Sequence, residues 1–209
     1  MRQVRFSFGG KNHKLHVHDD EELSNHIVRQ GSFYEDEVLD KVGTYGKFKK
    51  VIDVGANIGN HTAYFLNVWG VEQVIAVEPI QENFDLLLLN INSDPRALPL
   101  LGCLGECVGR ASMVVDTTNM GRCYRQQIGR DVPMLTLDTI APPDTDFIKI
   151  DVEGSELSVL QGAVKTLENA RPVLLIEGDP LELQEALKPF RYQQAWTFLH
   201  RNNLFLPTP

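Results

Sequence analysis

Val51-Ile52-Asp53-Val54-Gly55-Ala56-Asn57-Ile58-Gly59-Asn60 is the stretch on which the reading of this chain turns. A short apolar strand runs into a glycine-bearing turn, and a helix is expected from His61 to Val68. A second apolar strand, Val74–Val77, ends in Glu78. Glycine lets backbone approach a ligand closely because no Cβ intervenes. A helix start offers unpaired N–H groups. An acidic residue closing the next strand can accept both hydroxyls of a ribose. Together these are the parts of a site for a nucleoside-bearing ligand.

The turn also discriminates between ligands. The dinucleotide fingerprint is G-x-G-x-x-G, and Gly55-Ala56-Asn57-Ile58-Gly59 lacks that spacing. Asp53, two residues before the first glycine, would repel a pyrophosphate. It would attract a ligand with an ammonium and a sulfonium. That favours S-adenosylmethionine over NAD. The plain alternative is a strand–turn–helix unit that holds no ligand.

A length of 209 residues with 43% hydrophobic content suits one domain with a real core. The expected division is an N-terminal hairpin and helical cover over residues 1–48 and an α/β core over 49–209. The net charge of −8, from 20 basic and 28 acidic residues, argues against a nucleic-acid partner gripped through its phosphates. Cys103, Cys107 and Cys123 form no C-x-x-C and no zinc set, so reduced thiols in a cytoplasmic protein are expected. No apolar run reaches the roughly 18 residues of a membrane span, and with Arg2, Arg5 and Lys11 among polar residues no secretion signal is expected.

Alternation predicts a hairpin from Val4–Phe8 and Leu15–His18 around Gly9-Gly10. His16 and His18 would share a strand face with solvent. A helix is expected over Glu21–Gln30, ended by Gly31. Ser32 reads as the N-cap of the next helix, with Glu35 completing a capping box. Beyond Lys50, strands Val51–Val54, Val74–Val77, Leu98–Leu104, Phe147–Asp151 and Val173–Glu177 alternate with helices His61–Val68, Asn83–Asn92 and Ser155–Asn169. Such alternation implies a parallel sheet covered by helices on both faces. Two further β-like runs, Ala111–Asp116 and Val132–Leu137, flank a polar loop from Thr117 to Asp131. Residues 195–206 read as a terminal hairpin.

In open α/β sheets, ligands bind beyond the carboxyl ends of the strands. Those ends carry Asp53, Glu78, Asp151 with Glu153, and Glu177 with Asp179. Like charges repel, so crowding them there suggests use rather than scaffolding. The competing reading is that each caps the following helix, which suits Glu156 better than Asp151.

Phe33-Tyr34-Glu35, Asp53 to Thr62, Val77-Glu78-Pro79, Leu135-Thr136-Leu137-Asp138, Lys149 to Glu156 and the closing Asn203-Leu204-Phe205-Leu206-Pro207 resemble the FkbM-type S-adenosylmethionine-dependent methyltransferases. The likeness covers roughly residues 30 to 207, and Lys-Ile-Asp-Val-Glu-Gly-x-Glu is its distinctive block. It implies a Rossmann-like, seven-stranded, mostly parallel sheet and O-methylation of a sugar or other small hydroxylated molecule. By matching position, Asp53, Gly55, Asn57 and Gly59 would line the methionine and ribose side of the cofactor. Asn60 stands where members often carry an aromatic residue, which would alter the fit there. Glu78 would hold the ribose. Cys103 and Leu104 would lie near the adenine, and Asp151 would face the sulfonium and acceptor. Glu153, Glu156 and Glu177 would border the acceptor. Independently of the resemblance, the loop from Thr117 to Asp131, with Arg122 and Tyr124, could close over an acceptor, its arginines suiting an anionic sugar, or be a solvated loop.

Such a transfer needs the partners aligned and the acceptor proton removed. Asp151 is the first candidate base, Glu177 the second and His61 the third. Asp151, Glu153 and Glu177 could instead hold a divalent metal. The rivals are an NAD-dependent enzyme, a nucleic-acid methyltransferase and a non-catalytic cofactor-binding module.

Overall fold

The computed structural model describes residues 1–115, 123–125, 130–198 and 201–209, with backbone alone at 113–115, 123–125 and 130. The chain opens with strands β1 (Arg2–Phe8) and β2 (Lys11–Val17), paired antiparallel, and helix α1 (Glu22–Gln30). Helix α2 (Asp36–Gly43) precedes β3 (Lys50–Val54), α3 (Asn60–Tyr64) and a π-helical turn, Phe65–Trp69. Then come β4 (Gln73–Glu78), α4 (Gln81–Ile91), β5 (Ala97–Leu101), β6 (Cys103–Leu104), β7 (Gly109–Val115), β8 (Cys123–Arg125) and β9 (Arg130–Leu135). Helix α5 (Leu137–Ile140), β10 (Phe147–Ile150), α6 (Glu156–Gln161), α7 (Val164–Asn169), β11 (Val173–Glu177), α8 (Pro180–Leu187), β12 (Tyr192–Thr197) and β13 (Asn202–Pro207) complete it.

The main sheet has seven strands in the order β12-β13-β11-β10-β3-β4-β5. From β11 to β5 every pair is parallel, while β13 runs antiparallel to both β11 and β12. The central strands are apolar and buried because helices cover both faces. Two core clusters result. On one face Val51, Val74 and Leu175 pack with Tyr64, Phe65 and Leu87. On the other Ile52, Ile75, Ile148 and Ile150 pack with Val159, Leu160, Leu167 and Leu183. Phe6, Leu15, Val17, Ile27, Phe33, Leu39 and Val42 belong to the first cluster, so the N-terminal hairpin and helices share a core with the sheet. Asn90 fastens them: its amide bonds the backbone of His16 in both directions and the Ile58 carbonyl.

Chain order steps outward from β3 through β4 to β5, and then from β10 to β11 on the other side. The reversal falls between β3 and β10, and a crevice opens at their carboxyl ends. Several expected elements are divided by close contacts. The helix read over Ser155–Asn169 is two helices, because Gly162 lies against Gly105: a Cβ there would sit 2.0 Å from the Gly105 carbonyl oxygen. The strand read over Leu98–Leu104 breaks at Gly102, packed on Pro133, and β6 joins a second, four-stranded sheet of order β6-β9-β7-β8. The capping box at Ser32 does not form. Helix α2 starts after Glu35, whose backbone is left-handed at φ 58° and whose side chain caps nothing. Among the described residues no helix is long and apolar enough to cross a membrane.

The Gly162 contact is testable. Gly162→Ala is expected to cost about 3 kcal/mol through overpacking, lowering Tm by roughly 6–12 °C in a chain of this size. Gly70→Ala, left-handed but with open space around it, should cost only about 1–2 kcal/mol. Thermal denaturation in which the two variants melt alike would refute the close contact.

Candidate active site

The crevice is a cleft of about 240 Å³ whose lining comes from eight regions of the chain. Gly55, Ala56 and Asn57 follow β3, and Glu78 and Pro79 close β4. Cys103, Leu104 and Met134 form an apolar side, while Asp151, Val152, Glu153 and Glu177 form an acidic one. Glu21, Glu22 and Leu23 enter from α1, and Tyr34, Glu35, Asn60 and His61 complete the wall.

Glu78 is buried and held on both oxygens. One accepts from the Asn57 N–H at 2.8 Å, the other from the Ile80 N–H at 2.9 Å, with the Asn83 amide at 3.4 Å. Burial pushes its carboxyl up, and those three hydrogen bonds pull it back, leaving it at about 7. Asn83 is itself bonded to His18 at 2.8 Å, so the N-terminal hairpin steadies the carboxylate's support.

The acidic side is organised by Lys149. It lies inside β10, is buried, and points its Nζ to Asp151 at 3.0 Å and Asp53 at 3.8 Å. Burial alone would lower its affinity for a proton, but Asp151, Asp53 and Glu35 more than reverse that, so the ammonium stays charged. Asp53 is fully buried, accepts from the Thr62 hydroxyl at 2.6 Å, and stands behind the cleft rather than in it. Burial would raise the Asp151 carboxyl. The charge of Lys149 and hydrogen bonds from Glu177 and Lys149 outweigh it and hold Asp151 below its ordinary value. Glu177 moves the other way: burial, then the Asp151 charge and the bond to it, push it up to about 9. At neutral pH the pair therefore shares one proton, carried by Glu177.

The two glycines of the turn serve packing. Gly55, at φ 78°, faces the Asp151 carbonyl, where a Cβ would lie 1.8 Å from the oxygen. Gly59, at φ 81°, faces Leu87 and does not line the cleft. Glu156 turns back on its own loop, accepting from the Gly154 N–H at 3.0 Å, and is likewise outside the lining. Asp179 caps α8 through the Leu181 and Glu182 N–H groups. Arg122 lies outside the described residues, and Tyr124 is placed only by the backbone of β8. Neither Cys103 nor Cys107 is in a disulfide. Among the described residues no three His, Cys, Asp or Glu side chains gather as for a metal ion, Asp151, Glu153 and Glu177 included.

Residues 53–204 match the family model of the methyltransferase FkbM domain, nearly three quarters of the chain. The chain belongs to the FkbM methyltransferase family. The hexuronic acid methyltransferase AglP of Haloferax volcanii is 26% identical over 164 residues, 74% of this chain and 67% of AglP. The crystal structure of the FkbM methyltransferase from Methylobacillus flagellatus KT superposes with a TM-score of 0.59 at 26% identity, over 76% of this chain. This chain spans only 43% of that one. The B. subtilis tRNA methyltransferase TrmK superposes at a TM-score of 0.57 with 12% identity, over 85% of this chain and 68% of TrmK. At that identity the likeness concerns the fold alone.

The sequence offers no site role for Lys149, Tyr34, Asn83 or Asn202, and for Glu35 only a helix-capping one. A signal existed for Lys149: a lysine inside an otherwise apolar strand must find a buried counter-charge. Lys149→Met would leave Asp53 and Asp151 without their cation, and should cost about 3–5 kcal/mol by urea denaturation. An unchanged midpoint would show that the lysine does not hold the pair.

Proposed function

We propose that the chain transfers the methyl group of S-adenosylmethionine to a hydroxyl of a sugar or similar hydroxylated small molecule. What carries this reading is the polarity of one cleft. The buried Glu78 carboxylate, suited to a ribose, lines the same cleft as Asp151, Glu177 and His61. The residues fit the cofactor by chemistry. Glu78 offers carboxylate oxygen for the ribose hydroxyls, Cys103, Leu104 and Met134 offer an apolar flank for adenine, and the Asp151 carboxylate suits the ammonium or sulfonium charge. When bound, the cofactor would supply an activated methyl group that needs alignment more than activation.

The protein's own residues do the rest. Lys149 keeps Asp151 ionised while cancelling part of its charge. Glu177, holding its proton, can donate a hydrogen bond to an acceptor oxygen. Residues of α1 and the Tyr34 loop complete the cleft wall, and holding the partners in line is worth ~7–11 kcal/mol. Seven acidic side chains line the cleft, so an acceptor that donates hydrogen bonds fits it better than one that brings a carboxylate. The hexuronic acid named for AglP is a sugar that does carry a carboxylate, so that relative supports the sugar class alone, and the net charge of −8 weighs against nucleic acid.

Calorimetry with S-adenosylhomocysteine tests the first half. Ionised Glu78 is the acceptor for the ribose, so affinity should be full above pH 8 and fall as pH drops through about 7. Below that midpoint the loss approaches about tenfold per pH unit. Glu78→Gln should weaken binding about tenfold or more and flatten this dependence. No binding of either S-adenosyl compound would end the proposal. For the second half, radiolabelled methyl transfer to methyl glucoside, methyl galactoside and methyl glucuronoside should label at least one sugar hydroxyl. Label found only on an alkali-labile carboxyl ester would contradict the hydroxyl assignment.

A further inference from the structure

Glu35 occupies a strained position that its own helix does not explain. Its backbone is left-handed at φ 58°, a conformation costly for a residue with a Cβ, and its carboxylate makes no cap to α2. The carboxylate instead crosses to other elements. One oxygen accepts from the Asn202 amide at 2.8 Å, at the start of β13. The other stands 3.4 Å from Nε2 of His61. Both side chains of this pair are nearly buried, at 10% and 6% exposure.

Asn60 holds the pair in register. Its side-chain oxygen accepts from the Tyr34 N–H, and its side-chain nitrogen donates to the Tyr34 carbonyl, each at 3.0 Å. An aromatic side chain at position 60 could make neither bond. The clamp fixes the residue before Glu35 opposite the residue before His61. It thereby sets the carboxylate against the imidazole from both segments. Nε2 of His61 is buried and has no aligned hydrogen-bond partner. Catalytic hydrogen bonds are often long or poorly aligned in free enzymes and tighten once the substrate is in place.

We propose that Glu35 is the positioning residue of His61, and that His61 takes up the proton of the acceptor hydroxyl. This rests on the methyl-transfer reading. Glu35 holds the Nε2–H form of the ring, which leaves the Nδ1 lone pair as the base. The acceptor O–H proton passes to Nδ1 as the oxygen lone pair forms the new C–O bond to the methyl carbon. The C–S bonding pair stays on sulfur, which becomes a neutral thioether. The imidazolium formed on His61 is stabilised by Glu35 and then releases its proton to solvent. The alternatives are less suited. Asp151 is held by Lys149 as a weak base, and Glu177 already carries a proton at neutral pH.

Glu35→Gln tests this with little change of shape. The Gln oxygen keeps the bond from Asn202, so its NH2 group faces His61 Nε2 and donates to it. The ring should then switch from the Nε2–H to the Nδ1–H tautomer. Nitrogen NMR of 15N-histidine protein with S-adenosylhomocysteine bound, assigned with His61→Gln, reads the switch. The expected kinetic companion is a fall in kcat for the labelled glycoside of about 10²-fold. KM for S-adenosylmethionine and the Kd for S-adenosylhomocysteine should stay within about twofold. Wild-type protein with the proton on Nδ1 would overturn the proposal, as would Glu35→Gln with wild-type kcat. Where no glycoside is turned over, the tautomer decides alone. Wild-type protein that fails to bind S-adenosylhomocysteine overturns the methyl-transfer reading and the proton assignment together. Intact binding with the wrong tautomer overturns the dyad alone.

Discussion

A single buried ammonium sets the electrostatics of this protein. Lys149 sits in the central part of a parallel sheet, between two aspartates, where an unpaired charge would be prohibitive. The arrangement is reciprocal: the aspartates keep the lysine charged, and the lysine keeps Asp151 ionised. One consequence reaches the next strand. Glu177, facing an aspartate that will not take the proton, keeps it instead. The acidic wall is thus graded rather than uniform, with a cation beneath, an anion above it and a neutral acid beside them.

The glycine turn is constrained by the same neighbourhood. Gly55 lacks a Cβ because the carbonyl of Asp151 occupies that space, which brings β3 and β10 together where the chain order reverses. The first glycine lines the cleft, and what it permits is close approach of two strands. Gly59 does the same for α4 through Leu87. The ligand-facing work passes to Asn57, whose N–H holds Glu78, and to Glu78 itself.

Much of the fold was legible because apolar strands and turns alternate so regularly from Lys50 onward. Strand positions were read closely for β3, β4, β10 and β11, where burial on both faces leaves an uninterrupted apolar run. Boundaries failed where a distant segment intervened. Gly162 and Gly102 fall inside the elements expected over Ser155–Asn169 and Leu98–Leu104, and only the contacts with Gly105 and Pro133 show why the chain breaks there. Glu35 failed for a related reason. Its spacing from Ser32 fits a capping box, but the pull of His61 and Asn202, remote in sequence, outweighs the local cap. Asn60 read as a departure from an aromatic pattern, and its clamp on Tyr34 becomes visible only once residues 26 apart are brought together.

The most direct measurement is a carbon NMR titration of the carboxyl groups of Asp151 and Glu177 in the wild-type protein, assigned with single Asn and Gln replacements. Glu177 should titrate at about 9, with Asp151 remaining ionised from mildly acidic pH upward. Two carboxyls titrating independently near their ordinary values of about 4 would contradict the graded wall on which the site depends.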